Sequence, residues 1–152
     1  MKLSTRCRYA TLALFDIAFH NDGKPTQVRQ IAERQQLPAR FLEQIFQDLR
    51  RAELVEGRRG RNGGYYLHRE PSEITLADIM QATDGPLEAT FCLTEETDSD
   101  AQTDERSVSA LVWKEVAQRI QALYAEYTLD DLVRRAEEAG LQRGAPGYMY
   151  FI

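Results

Sequence analysis

Cysteine, histidine, tryptophan and long apolar runs are all scarce in this 152-residue chain, and each shortage excludes something. There are two cysteines, Cys7 and Cys92, too few for a disulfide framework. They are expected to be reduced thiols, metal ligands or redox sensors. The two histidines, His20 and His68, show no metal-ligand spacing. No apolar run approaches the roughly 20 residues of a membrane span. The start, Met1-Lys2-Leu3-Ser4-Thr5-Arg6-Cys7-Arg8, lacks the apolar stretch of a signal peptide. The expectation is a cytoplasmic chain with no membrane partner. No nucleophile–base pair is visible. The Gly60–Gly64 segment lacks both a Gly-Lys-Ser/Thr ending and a strand-to-helix setting, so it is no nucleotide loop. An enzyme is therefore not expected. There are no internal repeats.

A hydrophobic share of 43% and a mean hydropathy of -0.50 fit a soluble protein with one ordinary core. The net charge of -5 hides an asymmetry. Residues 1–70 hold 13 Lys+Arg against 8 Asp+Glu, net +5; residues 71–152 hold 6 against 16, net -10. A basic half joined to an acidic half points to one face for nucleic acid and one turned away from it.

The expected fold is mainly α with a small β-hairpin wing: a winged helix-turn-helix domain plus a long dimerisation helix. Ser4 or Thr5 caps a first helix running to about residue 20, largely buried through Tyr9, Leu12, Leu14, Phe15, Ile17 and Phe19. Thr26 caps a short second helix with Val28, Ile31 and Ala32 inward, and Gln36-Leu37-Pro38 breaks it. A third helix, about 39 to 52, buries Leu42, Ile45, Phe46 and Leu49. Leu54-Val55 and Tyr65-Tyr66-Leu67 are strands around a glycine-rich tip. Thr75 caps a fourth helix that ends at Gly85-Pro86. The acidic stretch from Glu95 to Arg106 reads as a loop. A long helix, about 107 to 127, carries the stripe Val108, Val112, Val116, Ile120, Leu123 and Tyr127, with Leu111 and Trp113 beside it. Such a stripe suits a two-fold dimer helix; the alternative is packing against the first helix. Thr128 caps a last helix to Ala139, followed by an apolar tail, Tyr148-Met149-Tyr150-Phe151-Ile152. The expected division is a DNA-binding domain over 1–85, a sensor loop over 86–106, and a dimerisation helix with C-terminal helix and tail over 107–152.

The stretch from Phe41 to Leu67 carries the chemistry. On the third helix, Arg40, Glu43, Gln44, Gln47 and Arg51 fall on one outward face. Arg can pair bidentately with guanine, Gln with adenine, and Glu can accept from the cytosine amino group. Arg58, Arg59 and Arg61 lie at the glycine-rich tip, where guanidinium groups on a slim backbone can enter a minor groove. Lys2, Ser4, Thr5, Arg8 and Tyr9, around the start of the first helix, are placed to hold phosphates.

These residues resemble the bacterial winged-helix repressors of the IscR/NsrR/CymR type. The resemblance rests on Met1-Lys2-Leu3-Ser4-Thr5, Arg8-Tyr9-Ala10, Phe41-Leu42-Glu43-Gln44-Ile45 and Leu49-Arg50-Arg51-Ala52-Glu53-Leu54-Val55. It continues through Arg58-Arg59-Gly60-Arg61-Asn62-Gly63-Gly64-Tyr65-Tyr66-Leu67 and Ile74-Thr75-Leu76-Ala77-Asp78-Ile79, and covers about residues 1 to 135. It implies a homodimer with a long crossed dimerisation helix on a partly palindromic operator in double-stranded DNA. It also implies that Glu43 helps to choose the base sequence and that Arg59 sits in the minor groove. A protein co-regulator is an optional further partner.

The chain departs from the cluster-binding members, which carry three cysteines in the loop before the long helix. Cys92 stands at the place of the first, and Thr94–Ser107 holds neither cysteine nor histidine. Four-thiolate ligation within one chain is impossible. Three readings of the sensor stay open. The first holds no cofactor, with Cys92 a thiol switch or a bystander. The second shares an iron–sulfur cluster across the dimer through Cys92 and Cys7, with a carboxylate such as Asp16 completing the set. The third is an interchain Cys7–Cys92 disulfide, since Cys7 sits near a helix start between Arg6 and Arg8, a setting that favours thiolate. The function expected is a homodimeric, sequence-specific transcriptional repressor that answers a redox, iron–sulfur or sulfur-metabolism signal. The alternative is a winged-helix protein-interaction module without sequence-specific DNA binding.

Overall fold

The structure is a computed structural model and describes residues 3–21, 23–90 and 105–143. Helix α1 (Thr5–His20) runs through the middle of the core. Ser4 is its cap: the Ser4 hydroxyl oxygen accepts from the Cys7 N–H at 2.9 Å, which satisfies one of the free amides of the first turn. Cys7, Ala10, Ala13, Leu14, Ile17 and Phe19 are buried. Leu12 is 37% exposed, so the helix is not buried all round as its apolar residues suggest. Small alanines let its neighbours approach, and the larger Leu12 is left on the outside.

Helix α2 (Val28–Gln35) starts one residue later than expected. Gln27 and Gln30 close its first turn reciprocally, because Thr26 is used elsewhere. Thr26 and Tyr65 each donate a backbone N–H to the other's carbonyl at 2.8 Å, tying the α1–α2 connection to the hairpin. Gln36, at φ 53°, ends α2, and α3 (Ala39–Arg51) follows Pro38. All four expected apolar residues of α3, Leu42, Ile45, Phe46 and Leu49, are fully buried.

The hairpin pairs β1 (Val55–Arg58) with β2 (Gly64–Leu67) in antiparallel register, Val55 opposite Leu67 and Arg58 opposite Gly64. The first strand thus reaches past the expected Leu54-Val55 to Arg58, because ladder pairing with β2 carries it through Gly57. Two glycines are required by close approach. A Cβ on Gly63 would stand 2.2 Å from the Arg58 carbonyl oxygen, and one on Gly64 would stand 2.4 Å from that of Thr26.

A 3-10 turn at Pro71–Glu73 leads to α4 (Leu76–Asp84), and a short α5 (Leu87–Thr90) follows. Two capping boxes of one design, Thr75 with Asp78 and Thr128 with Asp131, start α4 and α7 (Leu129–Glu138). They are stitched together where Leu76 donates to the Tyr127 carbonyl and Leu129 to that of Ile74, each at 2.9 Å. Val133 and Ala136 of α7 pack on Phe19 of α1.

Helix α6 (Glu105–Ala125) lies on α4 and α5. Ala117 is buried, and Ile120 and Tyr124 join the main core, while Val108, Leu111, Val112, Trp113 and Leu123 remain exposed. The expected stripe is therefore divided between an inward edge and an uncovered apolar face. The tail Tyr148–Ile152 and most of the expected sensor loop, Cys92 included, lie outside the described residues. Among the described residues no helix is long and apolar enough to cross a membrane.

Candidate nucleic-acid interface

Three contacts place the third helix and the hairpin in one rigid unit. The Tyr65 ring of β2 packs on Phe46 of α3 with centroids 4.6 Å apart. The Tyr9 ring of α1 meets Phe41 of α3 edge-on at 5.7 Å. Beneath them, the buried Asp16 of α1 is bound by α2: Arg34 Nε donates to its two oxygens at 3.2 and 3.0 Å, and Gln35 Nε2 donates to Oδ2 at 2.9 Å. A wholly buried carboxylate is tolerated only with such partners. The angle between α1 and α2, and so the seat of α3, is held by a charged clamp.

On this scaffold Arg40, Glu43, Gln44 and Gln47 project from α3 into solvent. Arg51 is exposed too, but its guanidinium pairs with Asp48, which also receives Arg6 from α1. It borders a depression shared with Arg69 and Asp78, on the side toward α4. Arg59 and Arg61 stand exposed at the hairpin tip, and Arg58 is the last residue of β1. Gln27, Arg50, Arg58 and Arg59 line one cleft between the start of α2, the end of α3 and the hairpin. Arg50 and Gln27 were not among the expected contact residues. Their signal was present: Arg50 lies on the flank of α3 nearest the strand that follows it, and Gln27 adjoins the residue that bridges to Tyr65.

The start of α1 is less uniform than expected. Tyr9 packs on Phe41 of α3 and Thr5 is exposed, but the Ser4 hydroxyl is engaged, donating to Asp84 Oδ1 at 2.7 Å while it caps α1. Arg8 is exposed on another side, at the edge of an apolar groove with Leu12, Met80 and Tyr124. Lys2 lies outside the described residues.

The expectation that Cys7 is a thiolate is overturned. The residue is 4% exposed, and burial pushes its thiol above the ordinary value of 9.0, with the Asp84 carboxylate adding to the rise. Hydrogen bonds with Thr83 and Thr11 only partly offset this. Desolvation of a charged sulfur outweighs the helix start, and Arg6 is engaged by Asp48 of α3. Asp16, the suggested carboxylate ligand, has both oxygens taken by Arg34 and Gln35. Among the described residues no group of three His, Cys, Asp or Glu side chains is placed to hold a metal ion. With two thiols per chain and one of them packed in the core, the donor set does not fit a cluster held within one chain.

Known proteins agree with this geometry. Residues 3–135 match the Rrf2 family, described as iron-dependent transcriptional regulators. The HTH-type transcriptional regulator IscR of Vibrio atlanticus is 35% identical over 137 residues, covering 90% of this chain and 78% of its own length. Among solved structures, T. potens IscR superimposes with a TM-score of 0.72 at 36% identity, over 99% of this chain and 97% of its own. CymR, the global cysteine regulator of B. subtilis, does so with a TM-score of 0.69 at 31% identity, over 89% and 98%. A polar helix face beside an arginine hairpin on this scaffold, with relatives that are regulators and not enzymes, leads to one assignment: the chain belongs to the Rrf2 family of winged-helix, DNA-binding transcription regulators.

Proposed function

We propose that the chain acts as a homodimeric, sequence-specific repressor on a partly palindromic operator. The observation that carries this reading is the outer face of α3, where Arg40, Glu43, Gln44 and Gln47 stand in water beside the hairpin arginines while Leu42, Ile45, Phe46 and Leu49 are fully buried. Glu43 selects among bases with Gln44, Gln47 and Arg40 around it, by donor and acceptor matching in the major groove, while Arg51, paired with Asp48, supports the end of the helix. Arg59 enters the minor groove, with Arg58 and Arg61 on the flanking backbone. Thr5, Tyr9 and Lys2 hold phosphates, and Ser4 and Arg8 support that end of α1. The exposed apolar face of α6 supports pairing of two copies, which sets the spacing of the half-sites.

For the signal, the cofactor-free reading is favoured. A cluster shared between two chains would require Cys7 to leave its packed site, and it would find Asp16 already bound. A thiol signal centred on Cys92, linked to sulfur metabolism, is in keeping with the description of B. subtilis CymR as a global cysteine regulator. Selection from random duplexes at moderate salt is expected to enrich a palindrome, and a pool without one would remove sequence-specific repression. Protein purified without oxygen is expected to be colourless and to bind DNA at full strength. Visible absorbance with stoichiometric iron and sulfide would overturn the cofactor-free reading.

A further inference from the structure

The cleft that Arg50, Arg58 and Arg59 line, between the end of α3 and the hairpin, has a volume of about 390 Å³. Four of its other lining residues are glycines, so its walls leave room for the backbone of a second chain. No acidic residue among those described lines it. Glu56, the acid of β1, belongs to the opposite face of the hairpin, since alternate residues of a strand point to opposite sides. There its Oε2 lies 3.4 Å from His68 Nδ1, and the Tyr66 hydroxyl donates to the same carboxylate. Asp48 of α3 is taken by Arg6 and Arg51 on the side toward α4. Arg50, Arg58 and Arg59 form no ion pair among the described residues. Three guanidinium groups around one cleft with no carboxylate repel one another and favour an anion between them.

A duplex supplies that anion in a fixed place. In the function proposed above, α3 enters the major groove and the hairpin tip enters the adjoining minor groove. One sugar–phosphate strand divides the two grooves, so it has to pass between α3 and the hairpin, where the cleft lies. We infer that the cleft seats the phosphodiester that separates the two grooves, held by Arg50 from the α3 side and by Arg58 from the hairpin. Arg50 is thereby a positioning contact with no base information of its own, and its role depends on the DNA-binding reading above. Gripping the dividing strand fixes the distance between the base pair that Glu43 reads and the minor-groove step that Arg59 enters.

A protein variant crossed with a DNA modification tests this, on the full chain and the palindrome that selection enriches. Each operator phosphate in turn is replaced by an uncharged methylphosphonate. Wild-type affinity is expected to fall about tenfold at the phosphate between the Glu43 base pair and the Arg59 step, both located by the preference changes of Glu43→Ala and Arg59→Ala. Arg50→Ala is expected to weaken binding about tenfold for every sequence, to reduce the salt slope by about one, and to lose nothing further at that phosphate. Arg50→Lys keeps the charge and is expected to keep the slope. Losses that simply add at that phosphate, or an Arg50→Ala protein that binds like wild type, overturn the assignment. So does a changed base preference in Arg50→Ala, which would make Arg50 a reader of bases. A wild-type chain that selects no palindrome is a separate result: it removes the DNA-binding reading itself and the seat for the phosphate with it.

Discussion

Helices α3 and α6 use their surfaces in opposite ways. In α3 the large aliphatic residues and Phe46 are fully buried, Phe41 is half-buried against Tyr9, and the outer face is left to Arg, Glu and Gln, side chains with directed donors and acceptors. In α6 the core takes only one edge, and Leu111 and Val112 stay 65% and 55% exposed. A helix whose apolar surface is satisfied within its own chain has its polar face free for a polar partner. A helix with apolar surface left over requires a second protein surface, since water is a poor neighbour for it. In the function proposed above the two helices divide the work, one toward nucleic acid and the other toward a second copy.

The largest effect is expected beneath this contrast. Asp16→Ala leaves Arg34 facing an emptied apolar site and is expected to cost about 3–5 kcal/mol in urea unfolding. A loss under about 1 kcal/mol would mean that the α1–α2 clamp is not what seats α3. Next, Leu111→Glu with Val112→Glu is expected to give a folded monomer and to weaken operator binding by about a hundredfold or more, because one half-site contact is lost. Sedimentation and DNA titration measure both, and a dimer that survives would break the division between the helices. Glu43→Ala is expected to change preference more than strength, with discrimination at its base pair falling by about 1–3 kcal/mol in competition assays. A uniform loss across all sequences would demote it to a general contact.

The smallest effect concerns Cys7, on the ground between the two regions. Its thiol is raised above 9.0, so the neutral form is favoured in the fold. The stability this contributes is present below that pH and is lost as pH rises through the folded value. Alkylation of Cys7 in the native protein is expected to be slow at neutral pH and to quicken above about pH 9, read by mass spectrometry. Rapid labelling at pH 7.5 would restore it as a candidate sensor.

The reading face of α3 was legible because its periodicity is clean: four apolar residues in the inward positions and polar ones between them. The hairpin tip was legible from its glycines and arginines. The clamp was not, because an aspartate on a helix reads as solvated until α2 brings Arg34 and Gln35 over it. Arg51 and Arg50 show the same limit in miniature. They are adjacent in the chain, but one turns to Asp48 and α4 and the other to the wing, and only the packed neighbours decide which.

Composition and pattern alone determined the fold class, the basic and acidic halves and the shortage of thiols. These are matters of residue type and period, and they need no third dimension. Tertiary structure alone decided the protonation of Cys7, the burial of Asp16, the bridge from Thr26 to Tyr65 and the unpaired amide of Asn21. Each depends on desolvation or on a partner remote in sequence. Burial acts on a charge or an amide only when other elements close over it, and no local window contains those elements.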